Sequence, residues 1–336
     1  MSLTVVRPGL LTTIQDLGRT GYQKYGVIVG GGMDSYSLRL ANLLVGNEEG
    51  EAALEITLTG PMLKIEGDVL MAITGGDLSP TVAGEPVPMG RPVYLKQGTV
   101  LQFGACRTGC RSYLAVAGGY TVPEVMGSKS TYLRAGIGGF RGRPLQPGDM
   151  LATNPTPAAS VRFMKRLAGK APHTALAATS WYAGRGHIPL AQPATVRAMR
   201  GGQYENFTPD SREQFWHSIF QVTPKSDRMG YRLTGPGLHL AEPLEMISEA
   251  VSLGTIQVPP DGNPILLMAD RQTTGGYPKI AQVALADVPL VAQMKPGGKI
   301  RFQEISLLEA ERLYIKREHS MQMIRTAIRR QWESCL

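Results

Sequence analysis

Leu54-Glu-Ile-Thr-Leu-Thr-Gly-Pro-Met-Leu-Lys-Ile65 reads as two short strands joined at a glycine-proline turn. Its centre is echoed later in the chain, where Leu233-Thr-Gly-Pro-Gly-Leu238 keeps the flanking apolar residues at the same spacing. Each copy follows a segment rich in Asp, Arg and Gly, Gln15-Asp-Leu-Gly-Arg19 in the first half and Ser226-Asp-Arg-Met-Gly230 in the second. The correspondence predicts two similar domains, with a recurrent turn of no common ancestry as the competing explanation.

Around the first copy the strand pattern continues. Val69–Thr74, Val93–Leu95, Val100–Phe103 and Ser112–Ala117 are short apolar runs cut by glycine, proline or aspartate turns, which predicts a curled sheet or barrel from Ala53 to about Leu151. Upstream, Leu3–Val6 is a strand ended by Pro8-Gly9, and Thr12–Gly21 reads as a polar loop in which Asp16 and Arg19 brace a turn. Met33–Asn47 predicts a helix, with Asp34 and Ser35 in its first turn and Leu40, Ala41 and Leu44 on one face. Its start, preceded by Gly30-Gly31-Gly32, is open to an anion. Thr153 to Thr195 loses the strand cadence and reads as an irregular connection; His173 and His187 within it have no acid or cysteine partners in sequence. A second run of elements begins with the strand Thr195–Arg200 and a helix capped by Thr208 with Pro209 in its first turn. Val251–Val258, Ile265–Met268 and Lys299–Phe302 are its further strands, and a basic amphipathic helix runs from Ser306 to about Trp332, with Leu313, Ile324, Ile328 and Trp332 on one face. The division expected is 1–190, 191–305 and a helical extension over 306–336.

Composition bounds the function classes. With 336 residues two domains are expected, and 40 glycines and 24 prolines with only 7% aromatic residues suit short strands better than long helices. The net charge of +8 is spread along the chain until the C-terminal helix, and no zinc finger, RNA-binding aromatic motif or lysine-rich arm accompanies it, so nucleic acid is not the expected partner. Cys106, Cys110 and Cys335 make an odd count without a histidine to complete a zinc set, so no metal site is expected and a reducing cytoplasm is the simplest compartment. No apolar run reaches 18 residues and no leader precedes the first strand, so neither a membrane span nor a signal peptide is predicted.

The chemistry concentrates in Met268-Ala-Asp-Arg-Gln-Thr-Thr-Gly-Gly-Tyr-Pro-Lys-Ile-Ala-Gln-Val283, a polar segment between two apolar runs. It reads equally as a salt-bridged hairpin and as a site. As a site, Asp270, Arg271 and Lys279 are its catalytic candidates: Arg271 and Lys279 would orient an acyl or phosphoryl group, and Asp270 would position them or handle a proton. Thr274, Gly275, Gly276 and Tyr277 would bind substrate, with Asp77 and Arg111 contributed from the first half. Gly127-Ser-Lys-Ser-Thr131 lacks the order of a phosphate loop, so Lys129 is not assigned to ATP. Arg141 and Arg143 read as a solvated basic turn or as anion contacts.

Seven segments together resemble the family of the C subunit of bacterial 5-oxoprolinase. The family is also described as the KipI-antagonist family and as allophanate hydrolase subunit 2, the domain within the carboxyltransferase part of urea carboxylase. They are Arg7–Arg19, Met33–Asn47, Arg111–Gly119, Gly127–Thr131, Ser226–Leu233, Ile256–Gly262 and Ala269–Pro278. The resemblance implies a mainly β protein with two cyclophilin-like β-barrel domains, short helices and a C-terminal helix. It further implies ATP-dependent opening of 5-oxo-L-proline to L-glutamate with release of ADP and phosphate, carried out with two partners, the A subunit and the KipI-like B subunit of 5-oxoprolinase. ATP with Mg2+ would be a cosubstrate of the complex, with no tightly bound cofactor in this chain, and a homo-oligomer is compatible with it. A component of a biotin-dependent urea carboxylase or allophanate system, and a non-enzymatic antagonist of a KipI-like histidine-kinase inhibitor, are the alternatives. Gly30-Gly31-Gly32 stands where relatives are expected to carry serine-glycine-alanine, which removes a hydroxyl at the helix entrance.

Overall fold

The computed structural model describes residues 1–170, 173–184, 186, 188 and 191–335. Their contacts divide the chain into two units, one of Met1–Arg19, Asp34–Ile188 and Ser320–Leu336, the other of Thr20–Met33 and Pro189–His319. Relative to the expected division, Thr20–Met33 counts with the second unit, and the C-terminal helix Leu307–Cys335 is shared between the two sets.

The first unit is built from two six-stranded sheets. Leu3, Val5, Leu63 and Leu101 from one sheet, and Ile14, Ile56, Ile73 and Val116 from the other, share one buried apolar cluster. The other face of the second sheet is covered too, because Leu70, Ala72, Tyr113 and Ala115 pack in a cluster with residues of the helices Ser35–Leu44, Ala158–Lys170 and Leu307–Cys335. Burial on both faces explains two departures from the sequence reading. The start of the loop expected over Thr12–Gly21 is instead part of a strand, Leu11–Gln15, paired along its length with Ala53–Thr57, its Thr12, Thr13 and Gln15 buried. The apolar run expected over Val69–Thr74 continues through Gly75 and Gly76 as the strand Val69–Asp77.

The connection after Thr153 is also more regular than expected. Ala158–Lys170 is a helix and Leu176–Ala178 is a strand that pairs with Val93–Leu95. Pro157 immediately precedes the helix, and its carbonyl accepts the Val161 amide, so the proline stands at a helix start, where its missing N–H leaves no bond unmade. His173 is exposed and His187 lies outside the described residues.

The second unit closes as a seven-stranded barrel, in the order Ala194–Arg200, Lys279–Val283, Thr255–Gln257, Ile265–Leu267, Gly230–Thr234, Ile219–Val222 and Lys299–Glu304. The first and last strands close it in a parallel pair, Ala194 opposite Ile300. Alternation fills the interior: Val196, Phe220, Leu233, Ile256, Ile280, Ile300 and Phe302 point into one buried cluster. The helix Pro209–His217 starts as read, its Thr208 side chain accepting the Ser211 amide, and lays Phe215 on Phe302 with ring centroids 4.7 Å apart. The C-terminal helix opens with a reciprocal cap in which the Ser306 hydroxyl accepts the Glu309 amide and the Glu309 carboxylate accepts the Ser306 amide.

The two Leu-Thr-Gly-Pro segments share a physical reason for their glycine. A Cβ on Gly60 would lie 2.3 Å from Cβ of Phe103, and one on Gly235 would lie 2.6 Å from the Phe220 ring. In each unit the chain leaves a strand past a phenylalanine that occupies the space of a side chain.

Candidate functional site

The segment 268–278 runs between two barrel strands, Ile265–Leu267 and Lys279–Val283, and is fixed at its start by backbone bonds from the Met268 amide to the Met229 carbonyl and from the Asp270 amide to the Arg228 carbonyl. Those bonds place Asp270 against Arg228. The carboxylate accepts from Nε and Nη2 of Arg228, both at 2.9 Å, and Nη2 also donates to the Gly31 carbonyl at 2.6 Å. Asp270 is 7% exposed and Arg228 5%. This two-point pair holds the segment 226–230, the glycine run at 30–32 and the start of the site stretch together.

Lys279 is likewise engaged. Its ammonium lies 2.6 Å from Glu249 and 3.2 Å from the Ala250 carbonyl. The hydrogen bond and charge of Lys279 hold the Glu249 carboxyl below the usual range. Glu249–Ala250 in turn pairs with Thr274–Gly275, so Lys279 secures the short ladder that carries the site loop. Thr274 and Gly276 are exposed on that ladder.

Arg271 is placed differently. Its Nη1 donates to the Met268 carbonyl at 3.4 Å, while Nε is buried without a hydrogen-bond partner among the described residues. Burial pushes the guanidinium below its ordinary pKa. It borders a cavity of about 170 Å3 whose other polar lining is Asp227, Arg232, Gln257, Gln272 and Tyr277, over a floor that includes Ile265 and Leu267. Asp227 is spoken for, accepting the Met229 and Gly230 amides. Gln257 is buried, and its Nε2 donates to the Tyr277 carbonyl at 3.2 Å. A side chain at 275 would displace this contact, since a Cβ there would lie 2.6 Å from Nε2 of Gln257. The Tyr277 side chain stands at the rim, 45% exposed. The cavity therefore presents two guanidinium groups, two amides and a phenol beside the Asp227 carboxylate, whose charge is shared with two backbone amides, and the excess of donors suits a small anion.

In the first unit Asp77 and Arg111 have separate roles. Asp77 accepts the Ser79 amide with its side chain and the Arg107 amide with its carbonyl, which fixes a turn. Arg111, 4% exposed, lies 4.0 Å from Glu55 in a buried polar cluster. There the Tyr113 hydroxyl donates to Glu55 at 2.7 Å and accepts the Asp34 amide at 2.7 Å. Burial, then the Glu55 and Asp34 charges, push the Tyr113 phenol far up, so it stays protonated. Asp34 also caps the helix Ser35–Leu44, accepting the Ser37 amide at 2.9 Å and its hydroxyl at 2.6 Å. The expected anion site at that helix start is thus filled by the protein's own carboxylate.

The loop 127–131 is also internally committed. Asp16 takes the hydroxyls of Ser128 and Ser130 and the Lys129 amide, and Lys129 reaches Glu51 at 2.6 Å. Its amides and hydroxyls hold a carboxylate, so the loop does not fit a nucleotide phosphate. Arg19, fully buried, donates to the carbonyls of Val125 and Ser130, binding the same loop. Arg143 pairs with Asp149 through two 2.7 Å bonds, and Arg141 lies over the Phe140 ring. Cys106 and Cys110 are free thiols, and among the described residues no group of three His, Cys, Asp or Glu side chains could hold a metal. No helix of the described residues is long and apolar enough to cross a membrane.

Sequence reasoning reached Arg271, Tyr277 and the polar run around them but missed Arg228, Gln257, Glu55 and Tyr113. Gln257 and Glu55 occupy strand positions that read as solvent-facing, whereas both are buried. Two signals were available: the internal echo, which set Ser226–Gly230 beside a motif already rich in Asp and Arg, and the family-like segments Arg111–Gly119, Ser226–Leu233 and Ile256–Gly262, which contain Tyr113, Arg228 and Gln257.

A family model described as the carboxyltransferase domain, subdomain A and B, matches residues 25–304. The chain is 39% identical over 316 residues to the 5-oxoprolinase C subunit of Haemophilus influenzae, covering 94% of this chain and 95% of that one. It is 40% identical over 308 residues to the 5-oxoprolinase C subunit of Escherichia coli, covering 92% and 93%. The crystal structure of the Kluyveromyces lactis urea carboxylase superposes with a TM-score of 0.82 at 32% identity, over 96% of this chain and 29% of that one.

Proposed function

The chain belongs to the family of the carboxyltransferase domain, subdomain A and B, and on that premise we propose that it is the C subunit of an ATP-dependent 5-oxoprolinase. The observation that carries this reading is identity of 39–40% to two proteins of that name over more than nine tenths of each chain. The urea carboxylase reading is second, because this chain spans only 29% of that protein.

Opening a lactam is difficult because amide resonance makes the carbonyl a poor electrophile. In the complex, ATP with Mg2+ would supply a phosphoryl group to the lactam carbonyl oxygen, making the carbonyl carbon a better electrophile. The loop 127–131 does not fit that group, and no step of this chain is routed through it. This chain's contribution is binding. Arg271 receives the substrate carboxylate in a charge-assisted bond, strong because its guanidinium is desolvated, and Gln257, Gln272 and Tyr277 complete the donor wall. Asp270 and Lys279 hold that wall in place through Arg228 and Glu249. Hydrolysis takes place in the cytoplasm, where ATP is supplied.

The test is purification of the chain with and without candidate A and B subunits, followed by simultaneous measurement of glutamate and phosphate release from 5-oxoproline and ATP. Stimulation by the chain is expected, together with a KM for 5-oxoproline raised at least tenfold in Arg271→Gln. Equal turnover without the chain would sink the reading.

A further inference from the structure

A second cavity meets the same arginine from another side. It is a groove of about 690 Å3, bounded by residues of the barrel and of the first turns of the C-terminal helix. Met199, Leu253, Val283, Leu285, Tyr314 and Ile315 give it apolar walls, and Leu285, Tyr314 and Ile315 are 46%, 42% and 65% exposed. This much exposed apolar surface on a concave face marks a binding site more often than an ordinary surface.

The polar groups of the groove are few. Ser252 and Gln282 bond to each other at 3.1 Å, and Gln282 also donates to the Leu253 and Val283 carbonyls, so both are satisfied. Glu311 is exposed on the helix. Beside the Tyr314 hydroxyl, Arg271 is the one cation of the groove, its Nη1 held by a 3.4 Å bond to the Met268 carbonyl and its Nε buried with no acceptor among the described residues. An apolar channel that contains one under-satisfied guanidinium is complementary to a molecule with an apolar chain and a single anionic head.

We propose that this groove binds an aliphatic monocarboxylate, its chain along Leu253, Val283, Leu285 and Ile315 and its carboxylate on Arg271. The head gains a charge-assisted hydrogen bond in a desolvated setting, and the chain removes exposed apolar surface from water. A neutral head of the same length gains only the second of these. The site shares Arg271 with the substrate site proposed above, so the two carboxylates would compete for it, but binding to the full chain alone needs no turnover and separates the two readings.

The experiment is calorimetric titration of the full chain with hexanoate, octanoate and decanoate below their micelle concentrations, with decan-1-ol as the neutral control. Affinity is expected to rise about fourfold per added methylene, with decan-1-ol at least tenfold weaker than decanoate. Arg271→Gln should reduce decanoate to the level of the alcohol. Leu285→Glu, a change at an exposed position that leaves folding intact, should weaken decanoate at least tenfold by placing an anion on the wall. Absence of decanoate binding, equal binding of alcohol and carboxylate, or wild-type affinity in Arg271→Gln would each overturn the proposal; equal binding would mark the groove as an apolar face for a protein partner instead.

Discussion

Arg228 and Asp270 form a buried two-point ion pair across 42 residues of chain, and the same guanidinium holds the carbonyl of Gly31. Removing one partner strands the other charge in the interior. Asp270→Ala is therefore expected to lower unfolding stability by about 3–5 kcal/mol, measured by urea denaturation. The double replacement Arg228→Met with Asp270→Leu should recover most of that loss, since neither charge then remains. A stability loss in the double variant equal to the sum of the singles would show that the pair does not act as a unit.

Gln257 and Gly275 form a second coupled pair. An alanine at 275 pushes the Gln257 amide aside and breaks its bond to the Tyr277 carbonyl, with a cost of about 0.5–1.5 kcal/mol. Gly275→Ala and Gln257→Ala should each raise KM for 5-oxoproline, and the double variant should be no worse than the weaker single. Additive effects would separate the two residues.

Lys279 is bound to a glutamate whose side chain is 51% exposed. Such a pair contributes under about 1 kcal/mol, so Lys279→Ala should leave the melting temperature nearly unchanged and turnover within about threefold of wild type, as expected for the loss of a weak positioning contact. Abolished turnover with the fold intact would make Lys279 a catalytic residue.

Trp332 stacks on Phe163 with ring centroids 4.3 Å apart and an interplanar angle of 14°, and is 8% exposed. Trp332→Ala should destabilise the chain by about 3–5 kcal/mol, and hydrogen exchange should show earlier loss of protection in the last turns of the C-terminal helix. Unchanged protection there would show that the helix is held elsewhere.

Asp149 gives a pH-dependent signature. The hydrogen bonds and charge of Arg143 and the Gln146 amide hold its carboxyl below the ordinary value, against some opposing effect of burial. A folded pKa below the unfolded one stabilises fully above about pH 4 and is lost as the pH falls through the depressed folded value. Wild type should exceed Asp149→Asn by about 1.5–3 kcal/mol at neutral pH, with the difference shrinking below about pH 4. A difference constant down to pH 2 would exclude the ion pair as its source.

Much of the fold was legible because it rests on local pattern. The caps at Thr208 and Asp34, the strands Ser2–Arg7, Ala53–Thr57 and Lys299–Glu304, and the C-terminal helix from Ser306 follow from turn chemistry and periodicity that any window of the chain displays. Chain-long resemblance carried the family as well. The misreadings fell where burial has a non-local cause. Leu11–Gln15 and Glu55 look solvent-facing because their residues are polar, yet one lies along a neighbouring strand and the other in a sheet covered on both faces.

The sequence by itself determined that Asp270, Arg271 and Lys279 stand together in a polar segment between apolar strands. Only the tertiary structure separated them. Asp270 turns to Arg228, Lys279 to Glu249, and Arg271 is left half-buried between two cavities with its Nε buried and lacking an acceptor among the described residues. Neighbouring charged residues share a stretch of chain, but their roles depend on which opposite charges the barrel brings to them from distant positions, and Coulomb and hydrogen-bond energies are set by those distances rather than by spacing in sequence.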